Sequence, residues 1–182
     1  LRLNSLESVQ DLDISENTGL SDLNLNSLKH AHEIHLTNNT EMDSFDLAFP
    51  SLEGFGGCRG ELKVTGNDGL LSVDLGGAEN EKEVECVGSW YPPDLWVADN
   101  PVLATFIANN MTEWDSIQIL RNASLTSLQL NATTVVDSLD IIENQALSSF
   151  TLDNLEEISS TPLMSGLCFG SDHCSLTIRD ND

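Results

Sequence analysis

Apolar and polar positions alternate in short blocks along this chain, and the blocks recur in one frame. Leu12/Ile14, Ile34/Leu36, Leu62/Val64, Leu95/Val97, Ile117/Ile119, Leu139/Ile141 and Leu176/Ile178 are aliphatic pairs separated by a single residue. Three residues after each pair stands an asparagine: Asn17, Asn39, Asn67, Asn100, Asn122, Asn144 and Asn181. A further apolar residue follows three positions later in six of the seven copies, namely Leu20, Met42, Leu70, Leu103, Leu125 and Leu147. A second alternating pair comes next: Leu23/Leu25, Phe45/Leu47, Val73/Leu75, Phe106/Ala108, Leu128/Leu130 and Phe150/Leu152. Alternation with period two predicts strands buried on one face only, two strands to each repeat.

Neither short strand can bury its apolar face alone. Stacking the repeats in register aligns equivalent strands into two parallel sheets around one apolar column, so the pattern predicts an all-β solenoid forming a single domain over 1–182. The ladder asparagines are 22, 28, 33, 22, 22 and 37 residues apart, which gives about seven coils of ~22 residues, with insertions at 53–60, 76–93 and 155–173. A carboxamide turned into a bend can both donate to and accept from backbone groups that the bend leaves unpaired, so the asparagines are expected to form a structural ladder. Leu1, Leu3 and Leu6 fall in the frame of Leu23, Leu25 and Leu28, and the chain closes just after Asn181, so it reads as a piece truncated at both ends of a longer solenoid.

Charge narrows the partners. Thirty acidic against seven basic residues give a net charge of −23 and a pI near 4.1, which argues against nucleic acid and against an anionic membrane surface. Four cysteines and four N-x-S/T sequons, at Asn38, Asn110, Asn122 and Asn131, together predict an extracellular protein. Cys58 and Cys86 sit in insertions ahead of successive strands, while Cys168 and Cys174 share one insertion, so pairs 58–86 and 168–174 are favoured over the other two connectivities. Asn122 is a ladder residue and is expected to be a poor glycan acceptor; Asn38, Asn110 and Asn131 fall at bends and are the expected acceptors.

Candidate chemistry is sparse. Asp22, Asp46 and Asp74 lie on the second strands, but Asn24 breaks the pattern and no Lys or Arg stands with them, which argues against a glycosidase or lyase site. His30, His32 and His35 form an H-x-H-x-x-H group; with His35 outward on a strand and the other two in the preceding bend, they are expected to be surface histidines without a metal. No G-x-S-x-G elbow or G-x-G-x-x-G frame occurs, and no cofactor is expected. From the fourth coil, outward positions of the first strands become Trp96, Ala98, Leu120 and Ile142, an apolar strip. It is either an interaction patch or a surface covered by the 76–93 insertion, which carries Trp90 and Tyr91.

The frame L-x-I-x-x-N-x-x-L-x-x-L-x-L, clearest from Leu12 through Leu25 and from Leu139 through Leu152, resembles the receptor L-domain type of leucine-rich β-helix. That repeat occurs in insulin- and epidermal-growth-factor-receptor ectodomains and in fungal cell-wall proteins held by a glycosylphosphatidylinositol anchor. The sequons and the run Gly57-Cys58-Arg59-Gly60-Glu61-Leu62-Lys63-Val64 make the chain most similar to the fungal wall-organisation branch. The resemblance implies a right-handed parallel β-helix and a non-enzymatic cell-surface glycoprotein with no catalytic residues. It would act in wall organisation through protein or wall-glycan contacts, and reach a membrane only through a lipid anchor outside this sequence. A ligand-binding receptor ectodomain and a carbohydrate-active β-helix enzyme are the alternatives.

Overall fold

The computed structural model describes residues 1–25, 27–46, 54–55, 60–76, 78–79, 92–158 and 175–181. These residues are all-β, with no helix among them. In the first sheet β1 (Ser8–Ser15), β2 (His30–Thr37), β5 (Glu61–Thr65), β7 (Asp94–Ala98), β9 (Glu113–Leu120) and β11 (Val135–Ile142) pair in that order, all parallel. The short β4 (Gly54–Phe55) also pairs with β2, and β13 (Glu157–Ile158) and β14 (Ser175–Arg179) both pair with β11. The second sheet runs β3 (Ser44–Asp46), β6 (Ser72–Asp74), β8 (Thr105–Ile107), β10 (Ser127–Gln129) and β12 (Ser149–Thr151), again parallel. The chain alternates between the sheets and returns to each one strand further along, an arrangement compatible with a β-solenoid.

Register follows from the aliphatic pairs. Leu12, Ile34, Leu62, Leu95, Ile117, Leu139 and Leu176 lie side by side, as do Ile14, Leu36, Val64, Val97, Ile119, Ile141 and Ile178. A slip of one residue would turn every one of these side chains into water, so the pattern admits only this pairing. Phe45, Val73, Phe106 and Leu128 close the column from the opposite sheet and are buried.

The eight-residue strands contain a third inward position that the two-residue template does not show. In β2, β9 and β11 the second, fifth and seventh residues are buried, and the two outward residues between the second and fifth mark a bend within the strand. Ala31, Trp114 and Val136 fill this extra position, Trp114 being the largest fully buried side chain among the described residues. At this bend the strand divides where the chain carries extra residues: β4 and β5 flank one such segment, β13 and β14 another. Gly54–Phe55 and Glu157–Ile158, which fall within 53–60 and 155–173, are therefore strand residues. His30 and His32, expected in a bend before the strand, belong to β2 itself and pair with Ser8 and Gly54 in the case of His30.

The carboxamides form a continuous ladder. The Asn122 Oδ1 accepts from the Asn100 backbone N–H and Nδ2, both at 3.1 Å. The Asn122 Nδ2 donates to the Val97 carbonyl at 3.0 Å and to the Leu120 carbonyl at 3.1 Å. The same set recurs from Asn39 to Asn67, Asn67 to Asn100 and Asn122 to Asn144, and from Asn144 to Asn181 it recurs without the donation to the residue two positions before. Five of these amides, Asn39, Asn67, Asn100, Asn122 and Asn144, are fully buried. The apolar residue three positions on has its cause in the next turn, where the asparagine carbonyl accepts from that residue's N–H, as in Leu125 N–H to Asn122 O at 3.0 Å.

Entering the ladder requires a left-handed residue. Glu16, Asn38, Gly66, Asp99, Arg121, Glu143 and Asp180, each just ahead of a ladder asparagine, have φ between 53° and 65°. Such a conformation is uncommon outside glycine and costs about 1–2 kcal/mol for a residue with a Cβ. Each of the first six donates its N–H to the adjacent strand, for example Arg121 to Ile142 O at 2.9 Å, which helps offset that cost.

Burial falls toward the ends of the stack, where Asn17 is exposed and Leu176 and Ile178 are more than half exposed. Asn122→Ala removes the acceptor of a buried N–H and the donor to Val97, and should lower urea stability by about 2–4 kcal/mol; Asn17→Ala, at an exposed rung, should cost about 1 kcal/mol or less. Gly66→Ala adds a Cβ at φ 65° against the Asn38 carboxamide. It should destabilise by about 1–2 kcal/mol, part of which Asn38→Ala restores in a double-mutant cycle.

Candidate functional site

Between the inward aliphatics of the first sheet stand the residues of its outer face, and the register gathers them into rows. The row nearest the bend runs Asp11, Glu33, Glu61, Asp94. Further along, the same position holds Ser116, Ser138 and Ser175. The middle row is Asp13, His35, Lys63, Trp96, Gln118, Asp140, Thr177, and the third is Ser15, Thr37, Thr65, Ala98, Leu120, Ile142, Arg179. The face is thus acidic and imidazole-bearing toward the start of the chain, and apolar with hydroxyl and amide neighbours beyond β7.

Trp96, Leu120 and Ile142, expected to form a strip, lie on three successive strands. Leu120 and Ile142 are register partners in the third row, and Trp96 stands in the middle row on β7, beside Ala98, which is Leu120's partner on that strand. Trp96 is 36% exposed, Leu120 and Ile142 are half-buried, and Ala98 is buried. The Lys63 ammonium sits 4.9 Å from the Trp96 ring centroid and covers part of the indole. Residues 80–91, which would supply Trp90 and Tyr91 to cover the strip, lie outside the described residues.

The carboxylates of the second sheet do not converge. Asp46 and Asp74 are register partners, but the row continues as Ile107, Gln129 and Thr151. Asp22 lies outside the paired strands and meets Arg2 at 3.8 Å. The Asp74 carboxylate accepts from the Gly76 N–H at 2.7 Å, a turn contact.

The sequon asparagines differ in environment. Asn122 is fully buried, with both amide atoms engaged in the ladder. Asn38 is exposed in a left-handed conformation, Asn110 is exposed with its Nδ2 donating to the Gly76 carbonyl, and Asn131 is half-buried. Cys58, Cys86, Cys168 and Cys174 lie outside the described residues, and so do the two disulfide pairings.

The histidines are where the fold adds most to the sequence. His32 Nδ1 lies 3.9 Å from Asp11 Oδ1 and 3.8 Å from Glu33 Oε1. His35 Nε2 lies 2.9 Å from Glu61 Oε2 and 3.8 Å from Glu33 Oε2. His32 and Asp11, 21 residues apart, and His35 and Glu61, 26 apart, meet because the strands stack in register, and no local motif signals it. The left-handed row was equally hidden, its one trace being that no β-branched or aromatic residue precedes a ladder asparagine.

No protein-family model, curated protein or solved structure matches the chain.

Arg121 and Asp99, in adjacent left-handed positions, form a two-armed ion pair at 2.7 and 2.8 Å. The hydrogen bond from Arg121, then its charge, holds the Asp99 carboxyl below the usual range, and the same contacts raise Arg121. A carboxylate with a depressed folded pKa contributes stability above its unfolded value, about 3.9, and loses it as pH falls through the lower folded value. Both side chains are about half exposed, so Arg121→Ala should cost only about 0.5–1 kcal/mol at neutral pH. The urea midpoints of wild type and variant should converge in strongly acid solution.

Proposed function

We propose that this chain is a non-catalytic extracellular binding module: a right-handed β-solenoid of receptor-L-domain type, about seven coils of ~22 residues, displaying one flat face to a partner. The carrying observation is the exposed Trp96 indole set beside Leu120 and Ile142 on a sheet face whose backbone is pinned in register. A rigid aromatic anchor with apolar neighbours loses little conformational entropy on binding. Gln118, Asp140 and Ser138 flank it with amide, carboxylate and hydroxyl groups. That mixture suits the apolar C–H face and the hydroxyl edge of a wall polysaccharide, and also suits a polar protein surface.

Cysteines and sequons support placement outside the cytoplasm, and the negative charge supports a neutral or basic partner at the cell surface or wall. The strip favours a binding role over turnover, since its residues offer neither a nucleophile nor a paired acid and base.

The test is retention of the secreted protein on insoluble β-glucan, chitin and mannan, and on purified cell-surface ectodomains, with reducing ends assayed in parallel. Trp96→Ala with Leu120→Ser should weaken retention at least about tenfold while the thermal midpoint stays close to wild type. Unchanged retention would remove the strip from the function, and released reducing ends would replace a binding module with an enzyme.

A further inference from the structure

The chain has four histidines, and three of them, His30, His32 and His35, stand on the single strand β2. That strand lies in the acidic part of the outward row, where Asp11, Glu33, Glu61 and Asp94 face one another in register. Neighbouring strands lie about 4.8 Å apart, and like charges directly opposite destabilise a sheet. The fold does not require carboxylates there, because Ser116, Ser138 and Ser175 occupy the same position further along. Asp11, Glu33 and Glu61, repelling acids at a position that accepts serine and with imidazoles set among them, favour a positive charge there.

We infer that Asp11, His32 and Glu33 form a binding site for a divalent transition-metal ion of the zinc class. One donor atom from each lies within 4.8 Å of the others. His32 Nδ1 is 3.9 Å from the Asp11 carboxylate and 3.8 Å from the Glu33 carboxylate. Ligand atoms around a tetrahedral zinc, with bonds of about 2.0–2.2 Å, are roughly 3.3 Å apart, so the two pairs that His32 makes have to close by about half an ångström, and the Asp11 and Glu33 oxygens have to come within the same spacing of each other. Rotation of the exposed Asp11 carboxylate supplies that movement on one side. His32 and Glu33 are held more tightly, because they are strand residues and only about a third exposed.

The second Glu33 oxygen faces His35 Nε2 at 3.8 Å, and His35 Nε2 is also 2.9 Å from Glu61. His35 and Glu61 therefore stand behind Glu33 and position it, leaving Oε1 for the metal. Imidazole among carboxylates favours zinc, nickel or copper over calcium and magnesium, which prefer all-oxygen sets. The site lies on the same sheet face as the Trp96 strip but on different strands, β1 and β2, and does not depend on what that strip binds.

The experiment uses the full chain produced without a histidine tag, stripped with chelator and returned to chelator-free buffer at neutral pH. Calorimetric titration with zinc should show a single saturable site, and zinc should raise the thermal midpoint, whereas calcium and magnesium at the same concentration should not. His32→Gln and Asp11→Asn should each weaken zinc binding by at least about tenfold. Asp140→Asn, which removes an outward carboxylate from β11 on the same face, should leave it unchanged. Asp11 is exposed, so its variant keeps the test open if the His32 variant misfolds. Non-saturating uptake, equal response to calcium, or the same loss in Asp140→Asn as in His32→Gln would show a diffuse counter-ion atmosphere and overturn the assignment.

Discussion

A carboxamide repeated at one corner of successive passes, fully buried at Asn39, Asn67, Asn100, Asn122 and Asn144, is the interaction on which the rest of this structure depends. Asn67, Asn100, Asn122 and Asn144 each serve backbone groups of their own pass and of the preceding one, so none of these rungs is complete without its neighbour. The left-handed residue before it turns the chain sharply enough to aim the amide inward, and the turn after it sends the chain toward the second sheet. An unpaired buried N–H costs about 1–3 kcal/mol, so a missing amide would open the corner and release the aliphatic residues on both sides of it. Hydrophobic burial supplies most of the driving force; the ladder decides where the chain bends.

Register at that corner propagates outward. Because every strand of the first sheet starts its count from a ladder asparagine, the outward side chains fall into straight rows across the sheet, and residues far apart in sequence become neighbours about 4.8 Å apart. The face is therefore a surface whose chemistry can vary from strand to strand without disturbing the core. One part of it holds carboxylates and imidazoles; another holds an indole, two aliphatic residues and a set of hydroxyls and amides.

The strong negative charge acts on the same surface. Basic residues are few, and each described one is engaged: Arg2 with Asp22, Lys29 with Glu7, Lys63 over Trp96, Arg121 with Asp99 and Arg179 with Asp180. These exposed contacts are individually weak, and within the acidic row Asp11, Glu33 and Glu61 have imidazoles of β2 beside them. The proposed metal site and the proposed binding strip lie on different strands of this face, one among its carboxylates and imidazoles and the other around its indole.

The alternating aliphatic pairs and the spaced asparagines were enough, as sequence, to establish parallel strands in two sheets, the inward residues and the ladder, because a period of two combined with a fixed corner leaves a single register that buries them all. The strip of Trp96, Leu120 and Ile142 was legible for the same reason: it follows from counting outward positions. Tertiary structure alone decided the bend inside the long strands, the burial of Trp114, the left-handed row and the meeting of His32 with Asp11 and Glu33. The first three depend on backbone torsion, which residue identity constrains only loosely when Glu, Arg and Asp can all be held at positive φ by the N–H bonds they donate to the next strand. The last depends on side chains brought together across strands, and a one-dimensional pattern carries no distance between them until the passes are stacked.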